Sequence, residues 1–400
     1  MLRTYKYLLR PTAEQERGLE YLLGQARLVY NAALEQRIST YQDTGKGLSY
    51  NAQWTHFRDL RNTQPDRLGQ LNASALQHTL RRLDRSFAAF FRRIQAGEKA
   101  GFPRFKNPDR FHSLEFTYGD GCKLRVEENG RRSFYLQNIG ILRLCFHRPL
   151  PAASVIKHVV VKRVHERWYV CLMLEIPDAL PATDAPPIKP LGIDVGLHSL
   201  AGLSTGETIE NPRWLRQSLV ELRILQRKAA RQTRGSHRRR NTMRQIARWH
   251  EHVANQRRDF LHQLSHRLVK EHDLIAVEDM PLAFMNRNRH LALSSHDAGP
   301  GELRQLLAYK AEDAGRRMVA VNPLNTSQRC SGCGGWVEKT LAIRVHHCPA
   351  CGLVLDRDVN AARNILHLAL GTLATPTART GRAERNVTQR GVRALRSCPL

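Results

Sequence analysis

The sequence predicts a multidomain α+β protein in which an α-rich segment, a mainly β segment and an α/β segment follow one another. Three observations carry this expectation. Apolar residues recur at three-to-four spacing in QERGLEYLLGQARLVYNAALEQRI and in residues 72–95, NASALQHTLRRLDRSFAAFFRRIQ, which is the period of an amphipathic helix. Strand-like alternation replaces it in KLRVEE, SFYLQ, ILRLCFH, SVIKHVVVKRVH and RWYVCLMLEI, from about 115 to 178. Beyond the proline-rich DALPATDAPP, short apolar strands alternate with helical stretches.

Each element has a reason. In the second helix Phe87, Phe90 and Phe91 share a face and are expected in the core, while Arg81, Arg82, Arg85, Arg92 and Arg93 lie on or beside the other face. GFPRFKNP, at 101–108, breaks the helical pattern with Gly and two prolines. A new domain opens near Lys189 with the strand LGIDVG, then HSLAGLS and a turn. Residues 211–270 are helical and carry 16 Lys+Arg against Glu221, Glu251 and Asp259. An apolar stripe of Ile246, Trp249, Val253, Phe260, Leu264 and Leu268 leaves Arg238, Arg239, Arg240, Arg244 and Arg248 to face a polyanion. The strand LIAVED follows, then an arginine-rich loop around MNRNRH, a helix from Glu302 to Arg317, the strand MVAVN and a last helix at DVNAARNILHLAL. The tail from Gly371 has six arginines, one acid and little periodicity, and is expected to be mobile.

Composition narrows the partners. The 63 Lys+Arg against 36 Asp+Glu give a net charge of +27, an excess that a folded chain tolerates when a polyanion neutralises it. Nucleic acid is the expected partner, with a membrane surface or the ribosome as the competing reading of charge alone. No apolar stretch approaches the roughly 18 residues of a membrane span, and MLRTYKYLLRPT lacks the apolar run of an export signal. Of eight cysteines, Cys122, Cys145, Cys171 and Cys398 are scattered and expected to stay reduced. The other four form CSGC, Cys330 and Cys333, and CPAC, Cys348 and Cys351, with fourteen residues between the pairs. Two C-x-x-C knuckles at that spacing present four thiolates to one structural Zn²⁺, leaving no open position for catalysis. The adjacent His346 and His347 are expected at the surface, not as ligands.

Three acids stand where an acid is a poor structural choice: Asp194 inside LGIDVG, Glu278 ending LIAVED, and Asp358 opening the last helix. Carboxylates gathered from separate strands and a helix suit hard cations such as Mg²⁺. Two such ions about 3.5 to 4 Å apart support in-line hydrolysis of a phosphodiester. Asp356 is the alternative third acid, and a helix cap is the competing role for either. Asp358 is preferred because it stands directly before V-N-A-A.

In order, GIDVG, NQRRDFLHQLSHRLV, IAVEDM, TSQRCSGCGG, HHCPACG and DRDVNAARNIL resemble the TnpB family of insertion-sequence proteins, relatives of type V CRISPR effectors. RLVYNAAL, ALQHTLRRLDRSFAAFFRR and GFPRFK extend the resemblance over about residues 3–368. It implies a wedge-like β-barrel (1–10 and 115–182) with an inserted helical recognition lobe (11–114), and a linker ending at 183–188. An RNase H-like RuvC nuclease (189–327 and 353–370), an inserted zinc ribbon (328–352) and a basic tail (371–400) complete the implied architecture. It further implies a cytoplasmic, nucleoid-associated, monomeric protein with Asp194, Glu278 and Asp358 as its catalytic, Mg²⁺-binding acids. A guide RNA from the end of the element would pair with target double-stranded DNA beside a short flanking motif, with the protein holding the heteroduplex by shape and charge. Arg81, Arg85 and the arginines of 238–248 are the expected nucleic-acid contacts. The chain departs from the family pattern at Arg10, where a Tyr is usual, and at Pro300, where a Trp is usual. The rival readings are a silent nucleic-acid-binding repressor and a strand-transferring transposase.

Overall fold

The computed structural model describes residues 2–128, 130–177, 186–279, 287–289, 291–340 and 342–374. Most of the DALPATDAPP linker, half of the MNRNRH stretch, Cys398 and the tail beyond Ala374 lie outside them. The chain divides into two compact units, Met1–Asp178 and Ala179–Cys398.

The first unit opens with β1 (Leu2–Arg10), followed by α1 (Ala13–Thr44), α2 (Tyr50–Thr63) and α3 (Ala73–Gln95). Six strands complete it: β2 (Ser113–Thr117), β3 (Cys122–Val126), β4 (Arg132–Leu136), β5 (Gly140–Cys145), β6 (Val155–Val164) and β7 (Arg167–Glu175). Helix α1 starts where Thr12 and Gln15 form a reciprocal capping box. Helix α3 starts at Asn72, whose Oδ1 accepts from the N–H groups of Ser74 and Ala75 while its Nδ2 donates to Gln137 at 2.7 Å. That one amide therefore caps the helix and ties it to the chain beyond β4. The strands form one antiparallel sheet ordered β2-β6-β7-β1-β5-β4-β3. Helices and sheet share a single core, in which Leu19, Leu34, Leu76 and Leu80 join Phe134, Val159 and Trp168.

Two side-chain expectations change here. Phe87 packs against this core, but Phe91 is 55% exposed and its ring contacts are with Phe87 and Phe90 of its own helix. Arg82 turns inward, donating to Ser113 Oγ at 3.1 Å over the ring of Phe111.

The second unit contains β8 (Pro190–Val195), β9 (Ser199–Leu203), β10 (Thr208–Glu210), α4 (Trp214–Gln217), α5 (Leu219–Arg231), α6 (His237–Glu271) and β11 (Leu274–Glu278). It continues with α7 (Ala292–Ala298), α8 (Pro300–Asp313), β12 (Arg317–Val321), β13 (Val345–His347), β14 (Val354–Asp356) and α9 (Arg357–Ala374). The expected helix at Glu302–Arg317 thus starts earlier, with Pro300 in its first turn, and ends at Asp313 before β12. Five strands form a sheet ordered β10-β9-β8-β11-β12, antiparallel from β10 to β8 and parallel from β8 to β12. LGIDV and LIAVE read as almost continuous apolar runs because both faces of these strands are covered. Leu191, Ile193, Ile275 and Val277 pack with α6 and α8 through Leu261, Leu264, Leu303 and Leu307. Ala276 packs with Ile365 and Ala369 of α9 on the other side.

Gly192 lies on that α9 side, where an added Cβ would fall on the carbonyl oxygen of Ala362. Gly192→Ala is expected to lift α9 from the sheet and destabilise the protein by about 1–3 kcal/mol. A lowered melting temperature checks this, with Gly47→Ala, where an added Cβ meets nothing within 4 Å, as a control.

Candidate functional site

Strand parity sets the candidate site. Side chains alternate along a strand, so Gly192 and Asp194 of β8, and Ala276 and Glu278 of β11, share the side on which α9 packs. The parallel register Ile193↔Val277 puts Asp194 and Glu278 next in line on neighbouring strands, at their carboxyl ends. Helix α9 brings Asp358 to the same place in its first turn. Gly202 of β9, the partner of Asp194, makes room, since a Cβ there would lie 2.6 Å from the backbone carbon of Asp358.

The three acids feel one another. Burial pushes the Asp194 carboxyl well above its ordinary value, and the charges of Glu278 and Asp358 push it further. Glu278 is raised as well, first by burial, although hydrogen bonds to Asp194 and Thr326 pull it down. Like charges this close hold a proton between them, or a cation in its place. Thr326 Oγ1 donates to Glu278 at 3.4 Å and Ser199 Oγ donates to Asp358 at 3.4 Å. Asp356 accepts from the N–H groups of Asp358 and Val359. It is the helix cap, leaving the Asp358 side chain to the cluster.

One neighbour has no obvious signal in the sequence: Arg344 Nη2 donates to Asp358 Oδ2 at 2.9 Å. Counting back through the β13–β14 hairpin from the second cysteine pair would have found it. The register Val345↔Asp356 and the bond from Arg357 N to Arg344 O set Arg344 beside the helix start.

The four cysteines of the C-x-x-C pairs converge, all Sγ atoms lying within 4.8 Å of one another. Cys330 and Cys351 stand 3.6 Å apart, as do Cys333 and Cys348, close to the edge of about 3.8 Å that Zn–S bonds of about 2.3 Å give a tetrahedron. Each pair is followed by a glycine at φ 74°, Gly334 and Gly352, whose N–H turns back to the carbonyl of the first cysteine. The Cys348 thiol is drawn down to about 7, chiefly by the N–H of Cys351. The scattered Cys122, Cys145 and Cys171 are free thiols. His347 is exposed, but His346 is fully buried beside Lys339 Nζ, because its strand turns it under the knuckle; neither joins the thiolate cluster.

Of the five arginines expected on one face of α6, four, Arg238, Arg240, Arg244 and Arg248, are exposed. Arg239 instead donates to the carbonyls of Ala229 and Gln232, closing the C-terminus of α5. On α3, Arg81 and Arg85 are both exposed, and Arg85 pairs with Glu115 at 3.2 Å.

Comparison with known proteins agrees with this architecture. Residues 161–289 match the family model described as Probable transposase, 301–365 match the Cas12f1-like TNB domain, and 1–46 match one described as a helix-turn-helix domain. Those first residues fold here as one strand and one long helix. Proteins of Streptomyces pristinaespiralis and Escherichia coli K12, named "Putative RNA-guided DNA endonuclease" and the same with the suffix InsQ, are 34% and 31% identical. The alignments cover 99% and 93% of this chain and 98% and 94% of theirs. The Cas12f1 chain of a Cas12f1–sgRNA–target DNA complex has a similar fold, with a TM-score of 0.57 at 14% identity over 91% of this chain and 98% of its own. Fold and motifs define a mixed α/β protein whose fold is similar to that of Cas12f1. Within that class, the chain belongs to the TnpB family of RNA-guided DNA endonucleases.

The raised carboxyls carry a stability consequence. Their folded-state values lie above the unfolded ones, so without a cation the fold gains stability as pH falls and loses it as pH rises through the folded values. Asp194→Asn is expected to stabilise the metal-free protein at neutral pH by on the order of 1 kcal/mol and to remove any gain in melting temperature on adding Mg²⁺. Thermal melts with and without Mg²⁺ across the neutral range read both effects.

Proposed function

We propose that this chain is an RNA-guided, Mg²⁺-dependent DNA endonuclease of a transposable element, cutting double-stranded DNA beside a short flanking motif. The observation that carries the reading is the convergence of Asp194, Glu278 and Asp358 at the carboxyl ends of two parallel strands and the start of a helix. On this reading the second unit is an RNase H-like RuvC nuclease with a zinc ribbon around Cys330, Cys333, Cys348 and Cys351. The first unit is then the wedge with its helical recognition lobe. The relatives' names support the activity, and the fold of Cas12f1, a chain described with sgRNA and target DNA, supports a guide RNA and a DNA target.

The donor set fits hard cations. It is all oxygen, and two of its acids, Asp194 and Glu278, are raised by burial first and by neighbouring negative charge after it, which a cation would relieve. Two Mg²⁺ ions held by Asp194, Glu278 and Asp358 would supply an activated water and a charge for the departing 3′-oxygen of the phosphodiester. The residues themselves do the positioning. Ser199 and Thr326 orient two of the carboxylates. Arg344, 36% exposed at its side chain, carries a positive charge to the edge of the cluster, where a scissile phosphate would meet it.

The test is a plasmid bearing a guide-matched target with a randomised flank, treated with protein co-expressed with the transcript of its element's 3′ end. Guide- and Mg²⁺-dependent double-strand breaks are expected, absent with Asp194→Ala. Cleavage should be slowed on the order of 100-fold with Arg344→Ala, with guide and target binding unchanged. Tight guide-dependent binding without cuts by the unsubstituted protein would favour a silent repressor.

The exposed arginines of α6 make a second prediction. Replacing Arg238, Arg240, Arg244 and Arg248 by Gln should flatten the dependence of log K on log salt by about 3. Filter binding across a salt series reads the slope, and an unchanged slope removes these residues from the interface.

A further inference from the structure

Within the first unit, and unrelated to the carboxylate cluster, three metal-capable side chains meet. His78 comes from α3, Glu115 from β2 and His158 from β6, and their ligand atoms lie within 4.8 Å of one another. His78 is only 4% exposed. Its Nδ1 stands 3.3 Å from Glu115 Oε1, which is the edge of a tetrahedron with bonds of about 2.0 Å. His158 Nδ1 is buried with no hydrogen-bond partner, a rare and unfavourable state for a ring nitrogen. A bulge at Lys157, where β6 shifts register against β7, re-aims His158.

We propose that His78, Glu115 and His158 form a second zinc site that fastens α3 to the edge of the sheet. The other atoms of two ligands are already held as such a site requires. His78 Nε2 lies 3.2 Å from Thr117 Oγ1, a partner that fixes the ring and leaves Nδ1 to the metal. Glu115 Oε2 takes the Arg85 guanidinium at 3.2 Å, leaving Oε1 for the cluster.

The same arginine decides which metal. One carboxylate already paired with Arg85 is too little negative charge for Mg²⁺ or Ca²⁺, which need several oxygen ligands. Two imidazoles and one carboxylate suit Zn²⁺, with the fourth position left to water.

The proposal is tested by counting zinc in the purified full-length protein after gel filtration. Two zinc per chain are expected, falling to one in His158→Ala and in the near-isosteric Glu115→Gln, which guards against a folding defect in the first variant. Co²⁺ substitution tells the sites apart. The second equivalent should add visible absorption without further thiolate charge transfer, and both variants should lose that addition while keeping the thiolate bands. An equal zinc count in the unsubstituted protein and the folded variants would overturn the proposal.

Discussion

The seating of α9 on the glycines of β8 and β9 is the constraint on which the candidate site depends. A helix usually stands off a sheet by the length of its side chains. At Gly192 and Gly202 there are none, and the backbone of α9 comes down onto the strands at Ala362 and Asp358. That approach brings a carboxylate from a helix into line with carboxylates from two strands. It is unfavourable on electrostatic grounds alone, as the raised Asp194 and Glu278 show, and packing by Ile365, Ala369 and Ala276 maintains it. The cluster is therefore a strained arrangement, paid for by apolar burial beneath it and relieved by whatever cation enters.

The thiolate centre is bound into the same arrangement. Asn360, fully buried in the first turns of α9, accepts from Ser331 N and donates to Arg329 O, on either side of Cys330. Asn364 donates to Thr326 O and Arg329 O one turn later. Thr326 in turn touches Glu278, and the β13–β14 hairpin delivers Arg344 to Asp358. Two asparagines on one helix face thus hold the cysteine-bearing segment at a fixed distance from the acids.

Much of this was legible in the chain because it obeys local rules. An acid inside an apolar strand, a C-x-x-C pair repeated after fourteen residues, and helical or alternating periodicity are all read within a short window. The DRDVN segment shows the limit of such reading: between two acids two residues apart the sequence favours Asp358 only by its place before V-N-A-A, and the hydrogen bonds from Asp358 N and Val359 N identify Asp356 as the cap. What failed did so where a contact outside the helix itself decided the outcome. Arg82 and Arg239 sit on faces that look solvated, yet each finds partly buried acceptors, Ser113 or the end of α5. Phe91 keeps the helical spacing of a core residue beyond the point where the core ends. The His78, Glu115 and His158 cluster comes from a helix and two strands spread over 81 positions, each residue unremarkable in its own segment.

Charge completes the argument. A net charge of +27 is a property of the whole chain, but its effect is local. On α6 exposed arginines at 238, 240, 244 and 248 run along a helix whose far half is anchored in the sheet core by Leu261, Leu264 and Leu268. Such a helix presents exposed cationic groups on a rigid support, so if they bind phosphates, as proposed, ordering them loses little entropy. At the acids the sign reverses. There a concentrated negative charge faces Arg344, paired with Asp358, and the charge of Arg357 near Asp194. On the proposed reading tight binding and cutting would be separable in this chain: the first would rest on arginines that need no metal, the second on carboxylates that would repel a polyanion until cations reversed their charge.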